Sequence, residues 1–226
     1  DGPSTSYTIT DMAAQAYGFF FGGFDTASTL ICLVTHMIAA HPTVQEKLRD
    51  DIDTIYEECN GEITYEAVAG IHYLDAIIHE TMRMYPQVIF LDRLCTQPYE
   101  LPPALPGMKP VTLKPGDILH IPVYPLHRDP KYFDNPHDFQ PERFIKGDKF
   151  VLNSNVFMPF GIGPRMCISY RFAMLEAKVL ICNLLHRFVV KPGKDMILPF
   201  QLNRKSIVMT PEGGFQLALE RRESTS

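Results

Sequence analysis

Cys167 is the side chain in this sequence whose setting most invites chemistry. It closes the stretch Phe160-Gly-Ile-Gly-Pro-Arg-Met-Cys167. Gly161, Gly163 and Pro164 predict a tight loop there, not a strand or a helix. Beyond it Phe172, Leu175, Val179 and Cys182 recur at three- and four-residue steps, the spacing of a helix. The thiol therefore stands where a loop enters a helix N-terminus. Unpaired N–H groups and the positive end of the helix dipole lie at such a place, and both stabilise a thiolate. Arg165 adds a cation two residues upstream. A sulfur so placed can be a metal ligand, a nucleophile, or a buried free cysteine without chemistry. A phosphatase-type nucleophile is disfavoured, because no glycine-rich phosphate cradle separates Cys167 from a following arginine.

Two other constellations carry possible chemistry. Gly22-Gly23-Phe-Asp25-Thr26 interrupts a long apolar run with two side-chain-free positions, an acid and a hydroxyl. The glycines mark a place where something approaches the backbone, or simply a close helix contact. Glu80 and Arg83 are three residues apart and share one helix face. Their neighbours Ile77, Ile78, Met82 and Met84 predict partial burial, where each charge needs a partner.

The elements that must position these residues follow from periodicity. Thr10 to Ala40 predicts one helix, capped by Thr10 or Asp11 and ended by His41-Pro42. About 30 residues span roughly 45 Å, enough to cross a membrane. Asp25 in its middle would cost roughly 2.5–3.5 kcal/mol there, so a buried central helix is the expectation. Val44, Leu48, Ile52 and Ile55 predict a second helix from Thr43 to Cys59, with charges outward. Asn60-Gly61 is a turn, and another helix runs from Tyr65 to Met84. Val88 to Leu91 is extended, and Lys114-Pro-Gly-Asp117 is a turn leading into Ile118–Val123. Phe188–Val190 and Phe215–Leu219 are strands, with a turn at Thr210–Gly214 and a frayed tail from Arg221. The fold class is mainly α with a small β-region.

Composition bounds the function. The chain has 226 residues, 46% apolar and 21% charged, which reads as globular. A net charge of −5 offers nucleic acid no attraction. Five scattered cysteines without a Cys-x-x-Cys pair argue against a disulfide framework or a structural zinc site, and for a reducing compartment. The first residues, Asp1-Gly-Pro-Ser-Thr-Ser, are neither a signal peptide nor an anchor.

Five stretches of the sequence, in this order, resemble motifs of the cytochrome P-450 haem-thiolate monooxygenases. They are Gly22-Gly-Phe-Asp-Thr26, Glu80-x-x-Arg83, Asp92-Arg93-Leu-Cys-Thr, Phe139-Gln-Pro-Glu-Arg-Phe144 and the Cys167 loop. Leu126-His-Arg-Asp-Pro130 and Asp134-Asn-Pro136 resemble the family's loop text as well. The resemblance covers residues 1–226 as a partial domain, the C-terminal half of the fold. It implies that the N-terminal half and its membrane anchor lie outside this chain. It is of the eukaryotic microsomal type, nearest to the animal and especially insect toxin-oxidising group.

The resemblance implies a haem (iron protoporphyrin IX) ligated by the Cys167 thiolate, with Phe160 and Gly161 in the ligand loop and Arg93 and Arg165 on its propionates. Gly22 and Gly23 would leave room for dioxygen. Thr26 and Asp25 would deliver protons, and Glu80, Arg83 and Arg143 would form a structural network. His127 is read as a scaffold residue, not a ligand. Phe19, Phe20, Val88, Ile89, Phe90, Ile207 and Val208 would line a pocket for a small apolar substrate. Electrons would come from NADPH through NADPH–cytochrome P-450 reductase, or through cytochrome b5, at the cytoplasmic face of the endoplasmic reticulum. Two departures stand out. Ser169 occupies the position where the family usually has glycine, and Ala27 the position where many members carry a second hydroxyl. The rival readings are a haem-thiolate isomerase or dehydratase working without a reductase, and a non-catalytic haem-binding fragment.

Overall fold

Thr8 starts the longest helix in the computed structural model, which describes residues 7–152, 156–205 and 209–223. Its hydroxyl accepts the Asp11 N–H at 3.2 Å, and the Asp11 carboxylate accepts the Thr8 N–H at 2.9 Å. This reciprocal box opens α1, Ile9–Ala40. The cap is thus Thr8, not Thr10 or Asp11, because Asp11 serves as the return partner three residues on. His41-Pro42 ends α1 and starts α2, Pro42–Glu58.

Burial divides α1 in two. From Ala27 onward Leu30, Leu33, Val34, Met37 and Ile38 are buried, whereas the described residues up to Thr26 are exposed. The expectation of a buried central helix holds only for its C-terminal half. The apolar first half has nothing described packed upon it.

One core joins four helices. Leu30, Val34 and Ile38 of α1 meet Leu48 and Ile52 of α2, Leu74, Ile77 and Ile78 of α4 (His72–Met84), and Ala177, Ile181, Cys182 and Leu185 of α6 (Tyr170–Arg187). The single helix expected over Tyr65–Met84 is two. A short α3, Tyr65–Ala69, is capped by Thr64 and stops at Gly70, and Ile71 turns the chain into α4. On α6 the buried face runs through Ala177, Ile181, Cys182 and Leu185, while Phe172 and Val179 are exposed. Apolar residues surround most of that helix, so spacing alone picks the wrong stripe. Lys178 is buried on it, with Nζ at 2.9 Å from Asp75 Oδ2 and 3.1 Å from the Ala69 carbonyl.

Among the described residues the strands form four separate antiparallel pairs. β1 (Leu91–Leu94) pairs with β4 (Ile118–Ile121), and β2 (Tyr99–Leu101) with β3 (Val111–Leu113). β5 (Ile145–Lys146) pairs with β6 (Lys149–Phe150), and β7 (Phe188–Pro192) with β8 (Leu217–Arg221). A short α5, Val123–Leu126, follows β4. Gln45 stitches α2 to β7. Its amide donates to the Val190 carbonyl and accepts the Val190 N–H, both at 2.8 Å. The first residues of the expected frayed tail are anchored instead, and residues 224–226 lie outside the described residues. Arg221 ends β8, and Arg222 grips the Asp53 carboxylate at 2.9 and 2.5 Å and the Leu185 carbonyl at 3.0 Å. Three histidines are deep in the fold. His36 lies against the Phe200 and Phe215 rings, His79 against Phe150 and Phe157, and His127 against Phe157.

Candidate functional site

The Cys167 loop closes on itself through backbone bonds. The Gly161 N–H donates to the Met158 carbonyl at 3.0 Å, and a 3₁₀ turn spans Gly163–Arg165. The Cys167 N–H then returns to the Phe160 carbonyl at 2.8 Å. Gly161 and Gly163 have φ of 77° and 70°, in the left-handed region that side chains avoid. The loop therefore needs glycine at both. Phe160 is half-buried and packs on the four-helix core, which fixes the loop's inner end.

Cys167 itself is exposed, two residues before Ser169, the N-cap of α6. Ser169 has φ −98°, a backbone conformation open to any residue, so a side chain there adds no strain. Arg165 is exposed and forms no ion pair with the described residues. Arg93, on β1, donates to the Ile162 carbonyl at 3.3 Å and so lies against the loop. Ile162, Met166, Ile168 and Phe172, within five residues of Cys167 in the chain, are exposed apolar side chains, of the kind that supply a binding surface.

On α1 the Thr26 hydroxyl donates to the Gly22 carbonyl at 2.6 Å, the usual one-turn bond of a helical threonine. A Cβ added at Gly22 or Gly23 would meet nothing within 4 Å. Asp25, Phe19 and Phe20 are exposed beside them. Gln45 touches both the Ile38 carbonyl, at 3.5 Å, and Val190, just past the end of α6. The C-terminal ends of α1 and α6 thus lie side by side, and the two helices pack together. Thr26 lies on the exposed first part of α1, and Cys167 just before the start of α6. Val88, Ile89 and Phe90 are exposed in the segment before β1. Ile207 and Val208 lie outside the described residues.

Glu80, Arg83 and Arg143 are brought together. Glu80 and Arg83 are both 0% exposed, deeper than the partial burial expected. Arg83 Nε and Nη2 grip the carboxylate at 2.7 and 2.9 Å. Its remaining protons go to the carbonyls of His127 at 2.9 Å, Pro136 at 2.8 Å and Asp138 at 3.2 Å. All five guanidinium donors are used. Arg143 Nε reaches Glu80 at 3.0 Å, and the Gln140 N–H adds a bond at 2.8 Å. Sequence reasoning treated His127 as plain scaffold. The structure shows its Nε2 accepting the Met158 N–H at 3.0 Å, just ahead of the thiol loop. Nothing in the residue spacing signals that bond.

The donor set limits what metal the site could take. Among the described residues no group of three or more His, Cys, Asp or Glu side chains could hold an ion. Cys167 can offer a metal one protein ligand, so the others must arrive with the metal. A flat macrocycle with an apolar body and carboxylate arms fits the exposed thiol, its exposed apolar neighbours in the chain and the two arginines.

A sequence profile of the family Cytochrome P450 matches residues 1–218. Cytochrome P450 9e2 of Blattella germanica is 46% identical over 213 residues, which is 94% of this chain and 39% of that protein. Cytochrome P450 3A25 of Mus musculus is 39% identical over 87% of this chain and 38% of its own length. Lithocholate 6-beta-hydroxylase of Mesocricetus auratus is 37% identical over 94% and 41% respectively. The chain thus spans about two-fifths of the length of the curated relatives it matches.

Proposed function

Because this chain belongs to the cytochrome P450 family, we propose that it forms the haem-ligand part of a monooxygenase that puts one atom of O₂ into a small apolar substrate. The carrying observation is the exposed thiol at the mouth of α6, on a loop closed by the Cys167–Phe160 backbone bond. Haem, when bound through a thiolate, supplies the oxidising chemistry, with the sulfur pushing electron density to favour O–O cleavage. The rest is the work of this chain's residues. Cys167 would hold the haem iron through its thiolate. Arg93 and Arg165 hold the propionates, as planar forks suited to carboxylates. Gly22 and Gly23 keep α1 clear of side chains where dioxygen must fit.

Thr26 and Asp25 manage protons. The Thr26 hydroxyl gives its own hydrogen to the Gly22 carbonyl, which leaves the oxygen's lone pairs free to hold a water in a fixed place. Asp25, exposed at the next position, can exchange protons with solvent. Phe19, Phe20, Val88, Ile89 and Phe90 supply apolar surface for substrate, and Ile207 and Val208 are assigned to the same pocket. Electrons come from NADPH through NADPH–cytochrome P-450 reductase, with cytochrome b5 as a second donor. The full-length protein sits on the endoplasmic reticulum membrane, held by an anchor in its N-terminal part.

Thr26→Ala in the full-length protein tests the proton role. Product formation is expected to fall roughly 100-fold, the typical worth of a positioned proton donor. NADPH oxidation continues, and the electrons leave as hydrogen peroxide. Unchanged product per NADPH consumed would remove Thr26 from the mechanism. A reductase-free isomerase would rearrange peroxides without NADPH and would have no use for the Asp25–Thr26 pair, so turnover with and without NADPH separates the two.

A further inference from the structure

We propose that His127 is a positioning residue for the ligand loop: its Nε2 lone pair holds the Met158 amide and so couples the buried Glu80–Arg83 pair to the turn that presents Cys167. The proposal rests on the reading of Cys167 as the iron ligand.

The His127 side chain has 0% exposure and sits with its ring 5.0 Å from that of Phe157. The Met158 N–H donates to Nε2 at 3.0 Å, and the bond is buried. An imidazole nitrogen that accepts must carry a lone pair, so the ring proton is on Nδ1. Nδ1 is buried and has no hydrogen-bond partner among the described residues. The tautomer is therefore fixed by the job at Nε2. The backbone of the same residue serves the ion pair, since its carbonyl accepts from Arg83 Nη1 at 2.9 Å. One residue thus joins two buried systems.

The chain of contacts continues to the sulfur. The Met158 carbonyl accepts from Gly161, where the left-handed turn begins, and Phe160 between them accepts from Cys167. A slip at Met158 moves Phe160, and with it the carbonyl that fixes the Cys167 backbone. Among the described residues the loop is also held by the packing of Phe157 against Phe133 and Phe144, by the packing of Phe160 and by the more exposed Arg93–Ile162 bond. Glutamine can place an oxygen near the position of Nε2. Asparagine stops one bond short, and leucine offers no acceptor.

The test uses the full-length haem protein and its His127→Leu, His127→Gln and His127→Asn variants. Two readouts are followed: hydrogen exchange of the Met158 amide, and the rate at which the reduced carbon monoxide complex converts from the thiolate-type to the thiol-type spectrum. A buried donor left without a partner opens the loop roughly 5- to 150-fold more often. Leu and Asn are expected to speed both readouts by about 10-fold or more, and Gln to stay within about 3-fold of the parent. Should Leu not accumulate as folded protein, the Gln–Asn pair makes the same comparison. Equal behaviour of Gln and Asn, or a Leu variant matching the parent, overturns the proposal. A parent without a thiolate-type band would sink the ligand reading instead, and Met158 exchange would still decide whether His127 holds the loop.

Discussion

Cys167→Ser in the full-length protein is expected to abolish the thiolate-type band of the reduced carbon monoxide spectrum and to reduce substrate oxidation to background. Serine keeps the shape of the loop, because the Cys167–Phe160 bond is made by backbone. It replaces a soft, easily ionised sulfur with a hard hydroxyl that ligates iron poorly and pushes little charge to it. The other cysteines provide the controls. Burial pushes the Cys182 thiol up to about 12, so it cannot supply a thiolate near neutral pH. Burial raises Cys32 as well. Cys59→Ser and Cys95→Ser should leave the band unchanged, since Cys59 caps the end of α2 and the Cys95 thiol is turned to the Gln97 carbonyl at 2.9 Å. A parent-like band in Cys167→Ser would end the monooxygenase proposal for this chain.

Glu80→Ala should be the most damaging substitution away from the sulfur. It leaves Arg83, at 0% exposure, with two protons and no acceptor, and takes from Arg143 its carboxylate partner. Removing one side of a buried pair costs about 3–5 kcal/mol. That is a large part of the about 5–15 kcal/mol that holds a domain together. The damage reaches further than α4, because Arg83 and Arg143 also collect carbonyls from residues 127 to 138. Little haem should be recovered with the purified protein, and its unfolding midpoint should drop sharply. By contrast, the Lys47–Glu142 pair has side chains 53% and 56% exposed, and Lys47→Ala should cost under about 1 kcal/mol. A Glu80→Ala protein with parental haem content would contradict the network's role.

The parts of this fold that were legible in the sequence are those where a residue type is forced. Positive φ at Gly161 and Gly163 requires glycine, and the bidentate geometry at Glu80 requires arginine in register. Such positions can be read without coordinates. What escaped depended on tertiary partners. Gly70 splits one apolar helical run in two because Ile71 turns into the core. The buried stripe of α6 is chosen by where α1, α2 and α3 press on it, not by its own spacing. Gln45 and His127 act through long-range bonds to backbone, at Val190 and Met158, and backbone partners leave no trace in residue identity. The half-exposed α1 was missed for another reason: its apolar residues predict burial without naming the surface that covers them.

The three histidines under aromatic rings make the scaffold a proton-limited structure. Burial lowers the affinity of His36 and His79 for protons, and brings His127 from the ordinary 6.5 down to about 4. Above pH 6.5 each is neutral in both folded and unfolded chains and costs nothing. As acid is added below that point the unfolded chain takes up protons that the folded one refuses, so stability falls, for His127 at about 1.4 kcal/mol per pH unit down to about pH 4. For His127 alone the loss totals about 3 kcal/mol by pH 4, where the folded form begins to titrate too. Urea midpoints measured at pH 7.5 and pH 5 should therefore separate clearly, while most carboxylates are still charged. A compartment more acidic than the cytosol would be a hostile place for this fold.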